Sequence, residues 1–391
     1  MKILMLLENE YLNDSRVIKE VQTLNNAGHD VIVATSTTSD LPSVEKNENC
    51  IILRRRISQL ILKSSIGALK APFYFNFWRK YVSDVLNKYT IDVIHIHDLP
   101  LCQIGIEFKN KHKIKLVVDL HENWPALLAV SSHTNTFIGI ILSSQKQWRR
   151  YEKKCCQSAD HIITVVHEMK ERISKLGIPP EKIIILENTP SILSVKELKF
   201  ERDERYFTLI YVGGISFHRG LQYAIAGLKL LVPELPVRLW IAGNGRYVAT
   251  LKDQIKNLQL EKNVEFWGIL TKAEIEDLHK KADFGLIPHI RSEQSDNSSP
   301  NKLFEYMAAG LPVLASNCTS VKRVLDNTQA GLTYVYDSSS DFTNVVRSLY
   351  KNRKRSDIFA ENGKRAIRER YNWEKGSFSL VKLYSDLGIS Q

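Results

Sequence analysis

Short apolar runs, typical of buried strands, alternate along the chain with longer stretches of helical periodicity. This alternation continues from one end of the chain to the other, as it does in parallel βαβ folds. The strands predicted in the first half are Lys2 to Leu7, Val31 to Ala34, Val93 to His97, Lys115 to Asp119 and His161 to Val165. Those predicted in the second half are Phe207 to Val212, Arg238 to Ala242, Val264 to Trp267, Phe284 to Pro288 and Val313 to Ala315. The pattern therefore predicts an α/β protein with two doubly wound, Rossmann-like sheets.

A polar, charge-rich stretch separates the two series of strands. Between residues 190 and 205 the alternation stops, which is typical of a domain boundary. We therefore expect one domain at residues 1–195 and another at residues 196–372. The segment 373–391 has the pattern of an amphipathic helix, and we expect it to pack back on the first domain. Ligands of doubly wound folds bind at the carboxyl ends of the strands, so two such domains facing each other predict a central cleft.

The composition excludes several classes of protein. The sequence has no run of about 18 uncharged apolar residues, so we expect no membrane-spanning helix. Its first apolar run is followed at once by Glu8 and Glu10, which favours a first strand over a signal peptide. The five cysteines are scattered, which argues against a disulfide framework or a zinc site and favours the cytoplasm.

The net charge of +11 is concentrated in one part of the first domain. Between Ile51 and Lys115 there are twelve basic residues against four acidic ones. Apolar residues such as Leu60 and Phe73 are interleaved with these charges, which suits peripheral contact with an anionic membrane at its inner face. A solvated basic face over ordinary core residues is the alternative. No signature of a nucleic-acid-binding module occurs, so we expect no nucleic-acid partner.

The segment from Asn297 to Pro312, NSSPNKLFEYMAAGLP, has the pattern of an anion site at the start of a helix. Serine and asparagine form turns and caps, Pro300 can begin a helix and Gly310 can end it. Free amides and the helix dipole favour a phosphate at the first turn, where Lys302 adds a full positive charge. Glu305, one turn further on, can accept hydrogen bonds from two sugar hydroxyls. An ordinary capped amphipathic helix is the alternative.

Glycine-rich turns follow two predicted strands of the second half. In the turn 213–220, glycines let the backbone approach a phosphate, and Arg219 offers a planar fork to its oxygens. The turn AGNGR, which contains Asn244, repeats this pattern after the next strand. A third loop, with Trp267 and Ile269, is suited to line a flat base. Simple turns and core packing explain these last two loops equally well.

Histidines and carboxylates end two neighbouring strands of the first half. His121 and Glu122 are placed to contact a reacting group as donors or as bases, although His121 can also simply cap the following turn. His95 and His97 end the other strand, but the spacing names no third ligand and no DxD motif occurs, so we expect no metal. Arg16, after the first strand, is a candidate anion contact, with an exposed first-turn arginine as the alternative.

Taken in order, these motifs resemble the retaining family 4 glycosyltransferases of the GT-B fold. In the second half, the matching motifs are the glycine turn with a basic residue before glycine, AGNGR, the FWG loop, SSPNKLFEYMAAGLPVLAS and a closing YNWEK. In the first half, they are GHDV at the end of the first helix, DLHE at a strand end, and ILENTP. The resemblance covers essentially the whole chain, and it implies two Rossmann-like domains that face a central cleft.

The resemblance also implies an activity and its residues. The implied reaction moves a sugar from a nucleotide diphosphate sugar, foremost a UDP-sugar, to a glycan or lipid-linked acceptor in envelope polysaccharide or glycoconjugate synthesis, with no cofactor or metal. The implied donor-nucleotide site comprises Gly213, Gly214, Arg219, Asn244, Trp267, Ile269, Pro300, Asn301, Lys302, Leu303 and Glu305. The implied catalytic residues are His121, Glu122, Arg219 and Lys302. The implied contacts to the donor sugar or the acceptor are Asn297, Ser298, Ser299 and Arg16.

Two positions depart from the family pattern. Asn297 stands where many members carry a glutamate, and Gly214 stands where the family's usual arginine follows the first glycine. The donor sugar is therefore less well determined than the nucleotide. We expect Arg219 and Lys302 to neutralise more of the diphosphate charge as a result.

The mechanism implied for a retaining transfer is front-face attack, in which the leaving phosphate accepts the acceptor's proton. A double displacement needs a carboxylate on the opposite face of the sugar, and no residue of the sequence is compelling for that role. Fixed cations and helix amides aimed at the departing phosphate lower the barrier electrostatically. Two other functions fit the same two-domain plan, namely a nucleotide-sugar epimerase and a nucleotide-sugar-binding protein without catalysis.

Overall fold

The computed structural model describes residues 1–12, 14–130, 144–195 and 198–389. The chain divides into two compact units, of which the first comprises Met1–Glu187 with Gly376–Gln391 and the second comprises Asn188–Lys375. The boundary between Glu187 and Asn188 lies a few residues before the predicted boundary at residue 195. Residues 196–197 at that boundary, and residues 390–391 at the end of the predicted C-terminal helix, lie outside the described residues.

The sheet of the first unit has the strand order β3-β4-β2-β1-β5-β6-β7-β8. Its strands are β1 (Lys2–Leu7), β2 (Asp30–Thr37), β3 (Val44–Lys46), β4 (Cys50–Arg56), β5 (Val93–His97), β6 (Lys115–Leu120), β7 (His161–Thr164) and β8 (Ile183–Ile185). Neighbouring strands are parallel except in the hairpin of β3 and β4. Strand order reverses between β1 and β5, so the carboxyl ends of these strands flank the position where doubly wound folds bind ligands.

Helices cover both faces of this sheet because its parallel strands are apolar on both sides. The helices between the strands are α1 (Ser15–Asn26), α2 (Gln59–Lys63), α3 (Phe73–Leu86), α4 (Cys102–His112), α5 (Trp124–Val130), α6 (Gln145–Ser158) and α7 (His167–Ser174). The core includes the fully buried side chains of Tyr74 and Trp78 on α3 and of Trp148 on α6. No helix in the described part of the chain has the length and hydropathy needed to cross a membrane.

The sheet of the second unit has the order β11-β10-β9-β12-β13-β14 and is parallel throughout. Its strands are β9 (Phe207–Val212), β10 (Val237–Ala242), β11 (Val264–Gly268), β12 (Phe284–Ile287), β13 (Val313–Ser316) and β14 (Gly331–Tyr334). The accompanying helices are α8 (Leu221–Leu231), α9 (Val248–Asn257), α10 (Lys272–Lys281), α11 (Glu293–Asp296), α12 (Asn301–Ala308), α13 (Thr319–Thr328), α14 (Ser339–Lys351), α15 (Lys354–Glu369) and α16 (Trp373–Gly376). Strand order reverses between β9 and β12, so their carboxyl ends mark the ligand position of this unit.

The end of the chain returns to the first unit. The helix α17 (Phe378–Ile389) lies in that unit, separated from α16 by Ser377. The hydroxyl of Tyr384, which is fully buried, lies 2.8 Å from Nδ1 of His95 in β5. Ser379 donates a hydrogen bond of 3.1 Å to the carbonyl of Ile185 in β8. The single helix predicted from residue 373 is therefore two helices, and the longer one packs on the first sheet.

Several residues of the basic region between Ile51 and Lys115 form ion pairs or lie in the core of the first unit. Arg54 is buried in β4 and pairs with Glu45 at 2.6 Å, and its neighbour Arg55 pairs with Asp84 at 2.7 Å. Several of the interleaved apolar residues are core residues of α3. Arg54 and Arg55 are therefore used in ion pairs within the first unit, and the predicted peripheral contact with an anionic membrane stays a prediction.

Candidate active site

A buried lysine lies in the first turn of α12. No side chain caps the N-terminus of this helix, and Lys302 is only 9% exposed. Its ammonium lies 4.0 Å from the centre of the Tyr211 ring and forms no salt bridge with a carboxylate of the described residues, although the charge of Glu305 acts on it from further away. Burial and the positive charge of Arg219 lower the pKa of Lys302 well below its usual value. A bound anion would offset this cost, so the first turn of α12 has the properties of an anion site.

Arg219 approaches Lys302 from the turn that follows β9. Its Nη1 lies 3.1 Å from Nε2 of His289, which follows β12. Its Nε is buried and has no hydrogen-bond partner among the residues that the structure describes. The two cations are close enough for Arg219 to lower the pKa of Lys302. Two positive side chains thus converge at the carboxyl ends of β9 and β12.

Two glycines allow this convergence. Gly213 has φ of 139°, and a Cβ atom there would lie 2.7 Å from the ammonium of Lys302. Gly220 has φ of 73°, and a Cβ atom there would collide with the carbonyl oxygen of Pro288. Other residues would strain the backbone at both positions and would also remove the space. The glycine turn therefore brings the backbone and Arg219 close to the start of α12.

His121 follows β6 in the first unit and is held between two carboxylates. Its Nε2 lies 2.9 Å from Asp119 and its Nδ1 lies 3.5 Å from Asp98, while its backbone N–H donates to Asp98 at 3.2 Å. Burial alone would lower the pKa of His121, but the two carboxylates outweigh it and raise the pKa to about 10. At neutral pH the ring is an imidazolium, which can donate a hydrogen bond but cannot act as a base. The predicted alternative of a base at this position is therefore not supported.

The charge of His121 predicts a pH-dependent contribution to stability. Its pKa of about 10 lies above the ordinary histidine value of about 6.5, so the imidazolium stabilises the fold fully below pH 6.5. This contribution is lost as the pH rises through about 10. The difference in unfolding free energy between the unmodified chain and His121→Gln, from urea denaturation, should therefore shrink from pH 7 to pH 10. His112→Gln, an exposed control on α4, should show no such trend. A constant difference for His121→Gln would contradict a charged ring.

Arg16 lies at the centre of a buried ion-pair cluster in the first unit. Its Nε and Nη2 contact the carboxylate of Asp119 at 3.0 to 3.2 Å, its Nη1 donates to the carbonyl of Leu186 at 2.8 Å, and its Nε lies 3.0 Å from Glu20. Its side chain is buried and each of its three nitrogens has a protein partner. We therefore correct the predicted contact between Arg16 and the donor sugar or acceptor to a structural role.

Four residues of this cluster have the chemistry of metal ligands. Ligand atoms of Glu20, His95, His97 and Asp119 all lie within 4.8 Å of one another. The guanidinium of Arg16 already contacts the carboxyl groups of both Glu20 and Asp119. Burial and the charge of Asp119 raise the pKa of Glu20 well above its usual value, which favours its protonated form. These four side chains therefore fit a metal ion poorly, because the positively charged guanidinium of Arg16 already contacts the two carboxyl groups.

Two family models match the chain, one in each unit. The model described as "Glycosyltransferase Family 4" matches residues 16–189, and the model described as "Glycosyl transferases group 1" matches residues 195–366. The chain belongs to glycosyltransferase family 4. This glycosyltransferase has the GT-B fold, since both units are doubly wound parallel α/β domains. The resemblance inferred from the motifs is thereby confirmed for the family, the fold and the transferase class.

Individual relatives agree with this assignment over most of their length. An uncharacterized glycosyltransferase of Methanocaldococcus jannaschii is 22% identical in an alignment that covers 91% of this chain and 90% of the relative. The alpha-monoglucosyldiacylglycerol synthase of Streptococcus pneumoniae is 23% identical, over 80% of this chain and 69% of its own. The crystal structure of Anabaena HepE in complex with UDP and glucose superposes with a TM-score of 0.73 at 16% identity, covering 99% of this chain and 100% of that one.

The predicted nucleotide residues of the glycosyltransferase lie around the start of α12 and at neighbouring strand ends. Glu305 is exposed on α12, and Asn301 is exposed and accepts a hydrogen bond of 2.8 Å from Asn188. The amide of Leu303 donates to the carbonyl of Pro300 at 2.9 Å, and its side chain is buried in the core. Leu303 is therefore corrected from a ligand contact to a packing residue, because both its side chain and its amide are used within the fold.

The other predicted residues are placed as follows. Gly214 and Ile269 are exposed, Trp267 packs edge-on against Trp240, and Asn244 accepts a hydrogen bond from the amide of Gly245 at 2.7 Å.

The side-chain amide of Asn297 donates to the carbonyl of Glu293 at 2.7 Å, and the carbonyl of Ser298 accepts from the hydroxyl of Ser320. The hydroxyl of Ser299 is buried and has no hydrogen-bond partner among the described residues. Glu122 is half-buried, and its carbonyl accepts from the amide of Trp124 at 2.9 Å.

Sequence reasoning missed two residues that organise this site. Tyr211, in β9, lies under the ammonium of Lys302 and donates a hydrogen bond of 2.6 Å to the carbonyl of Gly214. His289 accepts from Arg219. Tyr211 lies next to the last residue of β9 and His289 lies two residues after β12, and strand order reverses between these two strands. This location is the signal by which both residues could have been predicted.

Proposed function

We propose that this glycosyltransferase moves a sugar from a UDP-sugar to a glycan or lipid-linked acceptor, with retention of anomeric configuration, in envelope polysaccharide or glycoconjugate synthesis. The buried ammonium of Lys302 carries the proposal, because it lies near Arg219 at an uncapped helix N-terminus and forms no salt bridge with a carboxylate of the described residues. A nucleotide diphosphate supplies the missing negative charge. Anabaena HepE, which shares the fold, has been crystallised with UDP and glucose, and this supports UDP as the nucleotide.

In this proposal, different residues around α12 contact the diphosphate, the ribose and the base of the donor. Arg219, Lys302 and the first amides of α12 bind the diphosphate, with Gly213, Gly214 and Asn244 in the neighbouring turns. Glu305 is exposed one turn further on and accepts hydrogen bonds from the ribose hydroxyls. Trp267 and Ile269 line the base, and Ile269 is 81% exposed, which leaves its side chain available for this contact.

The proposed reaction is a front-face displacement. Breaking the bond between the sugar and the diphosphate increases negative charge on the departing phosphate. Arg219, Lys302 and the helix amides stabilise this charge without reorganising, so the proposal requires no metal ion or cofactor. The same phosphate accepts the proton of the attacking hydroxyl. On the sugar and acceptor side we propose Nδ1 of the His121 imidazolium as a hydrogen-bond donor, since Nε2 is taken by Asp119 at 2.9 Å whereas Nδ1 lies 3.5 Å from Asp98. Glu122, Asn297, Ser298 and Ser299 are proposed as further contacts.

Two substitutions test the proposed donor site. Arg219→Ala and Glu305→Ala should each lower kcat/KM for the donor by about a hundredfold, since each removes a charged contact to the nucleotide. The donor is first identified from a panel of nucleotide sugars by the rise in melting temperature that binding produces. Both variants should unfold at nearly the same temperature as the unmodified chain. Full activity in both variants would overturn the site, and donor consumption without any acceptor would favour the epimerase alternative.

We also propose that the first unit contacts an anionic membrane from the cytoplasmic side. The relative from Streptococcus pneumoniae is named for a diacylglycerol product, which supports a lipid acceptor. Leu60 on α2 and Phe73 at the start of α3 are 83% and 66% exposed, and Lys63, between them in sequence, is exposed as well. These helices contact each other within the unit. Exposed apolar side chains beside a lysine suit insertion at a charged bilayer surface.

Vesicle binding tests this proposal. The variant Leu60→Ser/Phe73→Ser should bind vesicles of anionic phospholipid at least about tenfold more weakly than the unmodified chain in a sedimentation assay, because it loses the apolar contacts. Binding of the unmodified chain should also weaken with added salt. Ile358→Ser removes an exposed apolar residue of the second unit and serves as the control. Equal binding to neutral and anionic vesicles would contradict the proposal.

A further inference from the structure

His289 is a buried histidine to which neither the sequence motifs nor the proposed reaction assigns a role. It is 7% exposed and lies two residues after β12, directly behind Pro288. Its Nε2 lies 3.1 Å from Nη1 of Arg219. Because a guanidinium nitrogen can only donate, Nε2 is the acceptor and the ring proton lies on Nδ1. The histidine therefore contacts Arg219 as a neutral imidazole.

The surroundings of His289 keep the ring neutral and fixed. Burial and the positive charges of Arg219 and Lys302 lower the pKa of His289 well below its usual value. The hydroxyl of Ser316 donates to the carbonyl of His289 at 2.6 Å, and the amide of Ile290 donates to the carbonyl of His218 at 3.0 Å. The segment that carries His289 is therefore tied to β13 on one side and to the glycine turn on the other.

A neutral partner has a consequence that a charged one would not have. A buried arginine is usually held by a carboxylate, which fixes its geometry but also neutralises its charge. Such a carboxylate would compete with a diphosphate for the same guanidinium. An imidazole acceptor holds Nη1 in place and leaves the full positive charge of Arg219 for the ligand. No carboxylate of the described residues pairs with Arg219.

We propose that His289 is a positioning residue that directs the charged guanidinium of Arg219 at the diphosphate of the donor while leaving that charge unneutralised. This inference rests on the proposed function, in which Arg219 binds the diphosphate. Its role is separate from that of Lys302, which contributes a charge of its own. This role explains why the residue that contacts Nη1 of Arg219 is a histidine and not an acidic residue.

The variants His289→Gln and His289→Glu place a neutral and a negatively charged side chain of nearly the same size beside Arg219. Glutamine offers a neutral oxygen acceptor, so its affinity for UDP should stay within about threefold of the unmodified chain. Glutamate has nearly the same size but forms an ion pair with Arg219, so UDP affinity should fall about a hundredfold. His289→Ala removes the acceptor and should lower it about tenfold. Titration calorimetry with UDP measures these changes, and uridine, which lacks phosphate, should bind all variants alike.

A second substitution connects these effects to Arg219. In an Arg219→Ala background, His289→Ala should change UDP affinity less than about twofold, because the group that it positions is absent. His279→Gln, which replaces another buried histidine of the second unit, should lower the melting temperature without changing UDP affinity. This control separates positioning from a general loss of packing.

The possible failures are distinguishable. If the unmodified chain does not bind UDP, or if Arg219→Ala binds it as tightly as the unmodified chain, the proposed donor site is overturned together with the inference. If Arg219→Ala weakens binding but the glutamine and glutamate variants bind UDP equally, only the role of His289 is overturned. Fully additive effects of Arg219→Ala and His289→Ala would overturn it as well.

Discussion

The variant Lys302→Met is expected to lose transfer activity by about a thousandfold and to become more stable than the unmodified chain. The ammonium of Lys302 is buried near Arg219, and the charge of Glu305 offsets only part of this cost, so the ammonium destabilises the ligand-free fold. Methionine keeps most of the side-chain volume and has no charge. The free energy of unfolding should therefore rise by about 1 to 3 kcal/mol, while the diphosphate loses a fixed cation. Transfer assays and thermal unfolding of the same preparation measure the two effects.

The gain in stability should also depend on pH in a defined direction. Because the pKa of Lys302 is lowered in the folded state, the unfolded chain binds more protons up to the ordinary lysine value of about 10.5. The advantage of Lys302→Met is then largest at low pH and disappears as the pH approaches 10.5. Lys262→Met, which removes an exposed charge of the same unit, should change neither activity nor stability appreciably. A Lys302→Met variant that is less stable at neutral pH would show that the ammonium is not a cost to the fold.

The variant Arg16→Met should destabilise the first unit by about 3 to 5 kcal/mol, which is a large part of the stability of an ordinary domain. Burial would raise the pKa of Asp119, but Arg16 and His121 lower it well below its usual value, so the carboxylate is charged inside the protein. Removing Arg16 leaves this charge with one cation fewer, and it also removes the donor to Leu186. Hydrogen exchange should show the loss of protection in β1, β5 and β6.

The surface pair of Arg79 and Glu107 provides a matched control. Arg79 on α3 also makes a two-point contact with a carboxylate, at 2.7 Å for both nitrogens, but both side chains are partly exposed. Arg79→Met should therefore cost less than about 1 kcal/mol. Equal losses in the two arginine variants would mean that burial adds nothing to the cluster around Arg16.

The central strands could be predicted from the sequence because parallel strands covered on both faces are apolar without interruption. β1, β5 and β9 have the bounds that the pattern predicts. Three strands that were missed, β3, β8 and β14, are short and lie at or beside sheet edges. β4 was also missed, because its sequence CIILRRR ends in three arginines that indicated a surface. Arg54 and Arg55 meet their partners Glu45 and Asp84 only when β3 and α3 pack against β4, and a local sequence pattern does not show this.

The candidate site could be predicted only as far as it depends on local sequence. Lys302 and Arg219 stand in motifs that signal a helix start and a glycine turn. The partnership of Arg219 with His289 depends on β9 and β12 being neighbours in the sheet, although 70 residues separate these two side chains in sequence. The misassignment of Arg16 has the same origin, since its partner Asp119 is 103 residues away. Long-range pairing decides both cases, and a local pattern does not contain it.

The return of α17 to the first sheet also bears on how the chain acquires its structure during synthesis. The first unit is discontinuous, because the whole of the second unit is inserted before Gly376. His95 in β5 therefore lacks its Tyr384 partner until the whole of the second unit and most of α17 have been translated. The second unit has all of its residues earlier than the first has. A nascent chain arrested between residues 376 and 389 would thus still lack part of the unit that began to emerge first, although every residue of the second unit has been translated.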